Sequence, residues 1–276
     1  MKRDGTFPLH REGIGPGSPR EQNEVPTISK KFRYYIRPIP LIKSRKDLSA
    51  FTYLMNFGKT IDIATYAWYI EGAERKILVD TGATVDLFRA RFGPEEYVEA
   101  VQPIEEGLRR FGLTPEDIDI VILTHLHWDH VGLGFKFRKA KFVVQKAELD
   151  YANNPHPMIS HIYIKDTFEG LDYELVEGDL EIIEGVKVLL TPGHAPGAQS
   201  VAVNTEGGLV IIPGICSVVD NFNVPTALRE QGHEVITPGI HLDAPQVYDS
   251  ALKVKIMADI ILPLHDISFM HKDRIP

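Results

Sequence analysis

The stretch Thr124-His125-Leu126-His127-Trp128-Asp129-His130 puts four metal-binding side chains into the six positions from His125 to His130. His125 and His127 are two apart, so in extended backbone both imidazoles leave on one side and can grip one ion. Asp129 and His130 follow where the chain should turn toward a helix. Neighbours in a turn point in different directions, so these two can reach a second ion beside the first. A solitary histidine is more often a packed or surface residue, but this density of ligand types indicates a metal site. Imidazole and carboxylate without thiolate favour Zn, Fe or Mn in an open site over a closed structural zinc.

Working outward, LTPEDIDIVILTH (113–125) reads as a turn leading into a buried strand that delivers the cluster. Before it, EEYVEAVQPIEEGLRRFG (95–112) carries apolar residues at helical spacing and ends on Gly112, which predicts a helix. The opening segments KFRYYIRPIPLI, IDIATYAWYIEG and KILVDTG predict an antiparallel sheet. After the cluster come a strand, KFVVQ, a short helix, KAELDYANN, and a Pro-, His- and aromatic-containing stretch (155–172) read as a lid. Short strands then recur through GLVIIPG, and YDSALKVKIMADIILPLHD predicts a helix feeding a last strand. Two further histidines end apolar strands beside Pro or Gly: His194 in LLTPGH and His265 in ILPLHD. Beside the cluster they are the expected missing ligands. The pattern predicts two sheets with helices outside and strand ends meeting at one edge.

The 276 residues are 43% hydrophobic and 25% charged, which excludes a stapled mini-protein and general disorder. Thirty basic against 38 acidic side chains give a net charge of -8 with no dense basic block, so nucleic acid is not an expected partner. No apolar run of about 18 residues occurs, and the opening MKRDGTFPLHREGIGPGSPREQNEVP has no apolar segment of the secretory kind. Neither membrane insertion nor export is expected. Cys216 is the single cysteine, which forbids an intramolecular disulfide and makes a cytoplasmic location the expectation. Residues 1–30 read as an N-terminal arm, mobile or strapped across a partner in a homodimer, and residues 31–276 as the folded domain.

The residues HLHWDH (125–130), with Asp80-Thr81-Gly82 upstream, TPGH at 191–194 and PLHD at 263–266, resemble the metallo-β-lactamase superfamily over about residues 32–270. Within it the order LVDTG, LTPEDIDIVILTHLHWDH, TPGHAPGAQS and a late HD is most similar to the N-acyl homoserine lactonase branch. The resemblance implies an α/β fold, the αββα metallo-β-lactamase sandwich, with two mixed sheets, helices on the outer faces and metals at one sheet edge. It implies that His125, His127 and His194 hold one metal and Asp129, His130 and His265 a second, with one or two zinc ions per chain, or Fe or Mn. A metal-bound hydroxide would be the nucleophile. Asp129 would also serve in catalysis, and Asp80 would accept a hydrogen bond from a ligand imidazole and orient it.

The sequence departs from the family where a bridging aspartate is expected: gapless matching of LVIIPGICSVVDNFNVP places Gly214 there. Cys216, Asp220 and His241 are the residues that could compensate, with His241 in TPGIHLDA ranked first. The tyrosine that assists the carbonyl oxygen in lactonases falls on Ser217. Trp128, inside the motif but not a ligand, is expected to face the substrate. The absence of a Lys or Arg tied to the metal motifs favours a neutral cyclic ester or amide over a phosphodiester or sulfate.

The expected function is metal-dependent hydrolysis of a small molecule, opening a lactone of the acyl homoserine lactone kind or a related ester or cyclic amide, which makes quorum quenching the associated role. The competing readings are a glyoxalase-II-like thioesterase or other hydrolase of the fold, an iron-dependent redox enzyme, and a binding protein on a decayed site.

Overall fold

The structure is a computed structural model that describes residues 34–276; the expected arm at 1–30 lies outside the described residues. In chain order the strands are β1 (Tyr35–Asp47), β2 (Thr60–Glu71), β3 (Ile77–Val79), β4 (Val98–Ala100), β5 (Ile120–Ile122), β6 (Lys141–Gln145), β7 (Tyr173–Val176), β8 (Leu180–Ile183), β9 (Val186–Leu190), β10 (Gln199–Thr205), β11 (Gly208–Ile212) and β12 (Ile260–Ile261). The helices are α1 (Val85–Phe92), α2 (Ile104–Arg109), α3 (Trp128–Val131), α4 (Lys146–Asn153), α5 (Lys165–Phe168), α6 (Thr226–Arg229) and α7 (Ala244–Met257).

Among the described residues the strands form a seven-stranded sheet, ordered β4-β1-β2-β3-β5-β6-β7, and a five-stranded sheet, ordered β12-β11-β10-β9-β8. Both are mixed: β1, β2 and β3 run antiparallel, whereas β3, β5, β6 and β7 are parallel neighbours, and β11 is antiparallel to β10 but parallel to β12. The inner faces meet in one apolar core. Ile70, Ile77, Val79, Ile122 and Val143 from the larger sheet pack with Val188, Val201, Val203, Val210 and Ile212 from the smaller. Burial on both faces explains why these strands read as continuous Val, Ile and Leu runs. Outside the larger sheet a second core joins Leu78, Val121 and Val144 to Ile104 and Leu108 of α2. Outside the smaller sheet, α7 buries Val254 against Leu189, Ala202 and Ile211. The layers are therefore helix, sheet, sheet, helix.

Two local details follow from proline. Pro38 and Pro40 lie on a stretch of β1 that pairs with β2 on one side, while β4 meets β1 only at Ile42–Ser44, so their missing N–H groups leave no gap in a ladder. The helix predicted across 95–112 is not continuous. Val98–Ala100 pairs with β1 as β4, and the helix starts only after Pro103, which suits a helix start and would break an interior.

Candidate metal centre

β5 ends at Ile122, and the next residues carry His125, His127, Asp129 and His130 out of the larger sheet, the last two on the short helix α3. His194 arrives on the turn after β9 and His265 just after β12, both from the smaller sheet. The candidate ligand atoms of His125, His127 and His194 lie within 4.8 Å of one another, as do those of Asp129, His130 and His265. All five imidazoles are buried, and Asp129 is about one-fifth exposed, at 22%.

The hydrogen-bond network assigns the tautomers. His194 Nδ1–H donates to the Ile240 carbonyl (2.8 Å), which leaves a lone pair on Nε2. Thr124 donates its hydroxyl proton to Asp80 Oδ2 (2.8 Å), so at 3.1 Å it accepts from His125 Nδ1–H. The two Nε2 atoms then face each other as lone pairs at 3.2 Å, an arrangement that repels unless a cation lies between them. That separation matches the roughly 3.3 Å between two nitrogens bound at zinc distance in a tetrahedral site. The buried Nε2 of His127 has no hydrogen-bond partner among the described residues. In the other group His130 Nδ1–H donates to Asp80 Oδ2 (2.8 Å) and His265 Nδ1–H to the Ala64 carbonyl (3.3 Å). Their Nε2 atoms stand 3.5 and 4.0 Å from Asp129 Oδ2. Neutral imidazoles with inward lone pairs and one carboxylate fit divalent metal ions.

Asp80 organises both groups, holding His130 directly and His125 through Thr124, and it also accepts from the Thr124 N–H at 2.7 Å. Its backbone is left-handed (φ 56°), a conformation aspartate adopts more readily than most side chains. Burial, reinforced by the neighbouring imidazoles, drives His125 and His127 well below the ordinary histidine range and takes His194 and His265 to about 4. Burial opposes charge on His130 too, but the Asp129 and Asp80 carboxylates and the Asp80 hydrogen bond outweigh it and raise its pKa.

These shifts fix a sign for the metal-free protein. Between pH 6.5 and about 4 the unfolded chain takes up protons that folded His194 and His265 refuse, so stability falls as pH falls. His130 is protonated in both states over that window and does not offset the loss. Urea titrations of chelated protein should show a decline on the order of 6 kcal/mol from pH 7 to pH 4, about 3 from each of His194 and His265; a flat profile would mean these imidazoles are not buried and neutral.

The remaining expected residues fall in different places. Trp128 lines a cavity of about 260 Å³ together with His127, Asp129, His130, His194 and His265, and its ring lies edge-on to Phe88 and Phe92 at 6.0 Å. Cys216 lines the same cavity but belongs to neither ligand group, and burial, helped by the Asp129 charge, pushes its thiol pKa up. His241 is likewise in neither group: its Nδ1–H donates to the Pro238 carbonyl (2.7 Å) and its ring meets Tyr53 at 4.8 Å. Ser217 donates no hydrogen bond from its buried hydroxyl, while its carbonyl accepts from the His265 N–H at 3.1 Å. At Gly214 an added Cβ would lie 1.9 Å from the Gln199 carbonyl oxygen, so no side chain fits there.

Two important residues escaped the sequence reading. Glu148, on α4, is fully buried and accepts from the Leu126 N–H (3.0 Å), the Gly197 N–H (3.1 Å) and the Tyr163 hydroxyl (3.2 Å). It ties the ligand strand to the loop after His194, and Tyr163 in turn stands 4.8 Å from the His127 ring. An acid in a short helix ordinarily reads as a solvated face, so no sequence signal marks it. Replacing Glu148 with Ala leaves two buried N–H donors unpaired and should lower unfolding free energy by about 4 kcal/mol, measured in urea, with Glu148→Gln losing about half as much. Lys46 is the other. It lies on the cavity wall, 79 positions before His125 in the chain, which revises the expectation that no Lys or Arg accompanies the metal motifs.

The sequence profile of the metallo-beta-lactamase superfamily matches residues 61–214. An N-acyl homoserine lactonase of Bacillus thuringiensis is 30% identical over 195 residues, 67% of this chain and 76% of the relative. One from Bacillus cereus is 30% identical over 184 residues, 63% and 72% of the two chains, and AiiB of Agrobacterium fabrum is 28% identical over 202 residues, 65% and 72%. Among solved structures, a mutant of B. thuringiensis AiiA with N-decanoyl-L-homoserine at its active site superposes with a TM-score of 0.70 at 27% identity, covering 87% of this chain and 96% of that one. An N-acyl homoserine lactone hydrolase with N-hexanoyl-L-homoserine at its catalytic metal centre gives 0.70 at 26% identity, again 87% and 96%.

Proposed function

Because the chain belongs to the metallo-beta-lactamase superfamily and is a metal-dependent hydrolase that opens lactones, we propose that His125, His127 and His194 hold one metal ion and Asp129, His130 and His265 a second, with zinc in both places. The opposed lone pairs of His125 and His194 are the observation that carries this assignment.

When bound, the metal supplies Lewis acidity, polarising the ester carbonyl and making water ionise near neutrality. The protein holds the rest in place. Asp80 fixes the rings of His130 and, through Thr124, of His125, so neither ligand pays for orientation on binding. Trp128, Phe51, Ile63 and Phe88 form an apolar wall that takes the carbon skeleton of the substrate and excludes bulk water. Hydrolysis joins a water oxygen to the carbonyl carbon and breaks the bond to the ring oxygen. The Asp129 carboxylate, on the cavity wall, carries the water's proton to the departing alkoxide, so that a hydroxy acid leaves.

His241, directed at Pro238 and Tyr53, acts in this reading as a support of the Pro238–His241 loop, whose Ile240 carbonyl orients His194, and not as a bridge. The acyl homoserine lactones of the curated relatives are the first substrates to assay. A reducing cytoplasm suits a chain whose one cysteine is buried and free, no described helix is long and apolar enough to cross a membrane, and a homodimer is the oligomer to test by light scattering.

Elemental analysis of the purified protein and its His241→Ala variant, beside hydrolysis assays on lactones, esters and amides, tests the whole. Two zinc ions per chain in both proteins, with lactones turned over fastest, is the expected result. Two ions falling to one in His241→Ala would overturn the ligand assignment, and metal-loaded protein inert toward every lactone would overturn the activity.

A further inference from the structure

We propose that the cavity selects a lactone carrying a carboxylate remote from its ring, and that Lys46 is the residue that recognises that charge; the inference rests on the lactone-opening reading and narrows its substrate class. Strand alternation places the cation. Ser44 and Lys46 on β1 face the same side, and both line the cavity shared with the two ligand groups, whereas Lys43 and Arg45 between and beside them pair with Asp62. Among the described lining residues Lys46 is the one Lys or Arg.

Its surroundings are those of a binding group. The ammonium lies 3.6 Å from the Phe92 ring centroid and 4.8 Å from that of Phe88, with the side chain 20% exposed. Its carboxylate partner, Glu96, is 3.5 Å away and 47% exposed, a long contact on the solvent side. Aromatic faces stabilise a cation but leave its N–H donors unfilled. A second positive charge stands close by. Arg91, whose guanidinium is 5.0 Å from Phe92, has a buried Nε–H with no acceptor among the described residues. Away from the ligand groups the wall is mostly Phe, Trp, Ile and Ala with only Ser44, Thr65 and Cys216 as small polar members, so a cation on it, with Arg91 behind, has no use when the guest is wholly neutral and apolar. A carboxylate at the end of a short tail would fill the free donors of Lys46 and be attracted by Arg91, while the ring carbonyl lies among the histidines.

The test compares two γ-lactams, which resist hydrolysis, whose amide tails are identical except that one ends in a carboxylate and the other in its methyl ester. Calorimetry on the protein as purified should give at least tenfold tighter binding of the acid, about 1.4 kcal/mol, shrinking as salt is raised. Lys46→Met should bring the ratio to about one, and Lys46→Arg should keep most of it. Equal affinities in the wild type, no binding of either lactam, or a preference that survives Lys46→Met would overturn the proposal. Assay of the matching lactone pair separates the two readings. Both lactones opened without preference leaves the activity standing and removes Lys46, whereas tight, Lys46-dependent binding without any ring opening supports Lys46 and removes the lactonase activity.

Discussion

Asp129→Asn is expected to lower kcat/KM for lactone opening by at least a thousandfold, about 4 kcal/mol of transition-state stabilisation. Two losses combine. The amide removes the only negative charge in the Asp129, His130, His265 group, so the ion it holds should fall from one equivalent toward zero. It also ends the proposed route by which the Asp129 carboxylate passes a proton to the alkoxide. Elemental analysis and steady-state kinetics on the same preparation check both. Full metal content with a rate within tenfold of wild type would remove Asp129 from both roles.

Gly214→Asp is the change that family comparison would suggest as a repair, and it should instead destabilise the protein by about 4 kcal/mol, a fall of roughly 10 °C in Tm for a domain of this size. The new Cβ would lie 1.9 Å from the Gln199 carbonyl oxygen and 2.5 Å from its carbon, both backbone atoms. Gln199 cannot retreat easily. Its N–H donates to the Thr124 carbonyl at 2.9 Å and its amide nitrogen donates to Leu123 and Val143 at 2.8 and 3.2 Å. A carboxylate forced in at position 214 therefore pushes on the residues just before His125. Calorimetric melting of the variant, with and without added metal, measures it. An unchanged or raised Tm together with an extra equivalent of metal would show that the loop accepts the bridge.

The proposed ligands were legible in sequence because their chemistry is dense: four fall in six positions, and His194 and His265 each end an apolar strand. Periodicity likewise exposed the two-layer plan, since strands buried on both faces read as unbroken apolar runs. The helix expected over 95–112 failed for a local reason. Helical spacing of apolar residues does not register that Pro103 ends one element, nor that a free edge of β1 is waiting to pair with Val98–Ala100. Glu148 and Lys46 were illegible for a different one. Their partners lie far along the chain: closure of one sheet on the other brings α4 against Gly197, and the strand order β1-β2-β3-β5 brings β1 to the side of the sheet that carries the histidine cluster. At Gly214, the position matched to the bridging residue, the Gln199 backbone leaves no room for a side chain, a contact between distant residues that the sequence does not display.

The division of the strands has a consequence for biosynthesis. β1 to β7 make the first sheet and β8 to β12 the second, so the sheets leave the ribosome one after the other. His125, His127, Asp129 and His130 emerge with the first, but each group waits for one histidine from the second. A nascent chain halted after β7 exposes four half-satisfied ligands and an uncovered apolar sheet face. In this reading capture is thus deferred in one group until His194 has emerged and in the other until His265 has. Ile275, pairing with Ile36 at 3.0 and 2.9 Å, then ties the stretch after His265 to β1.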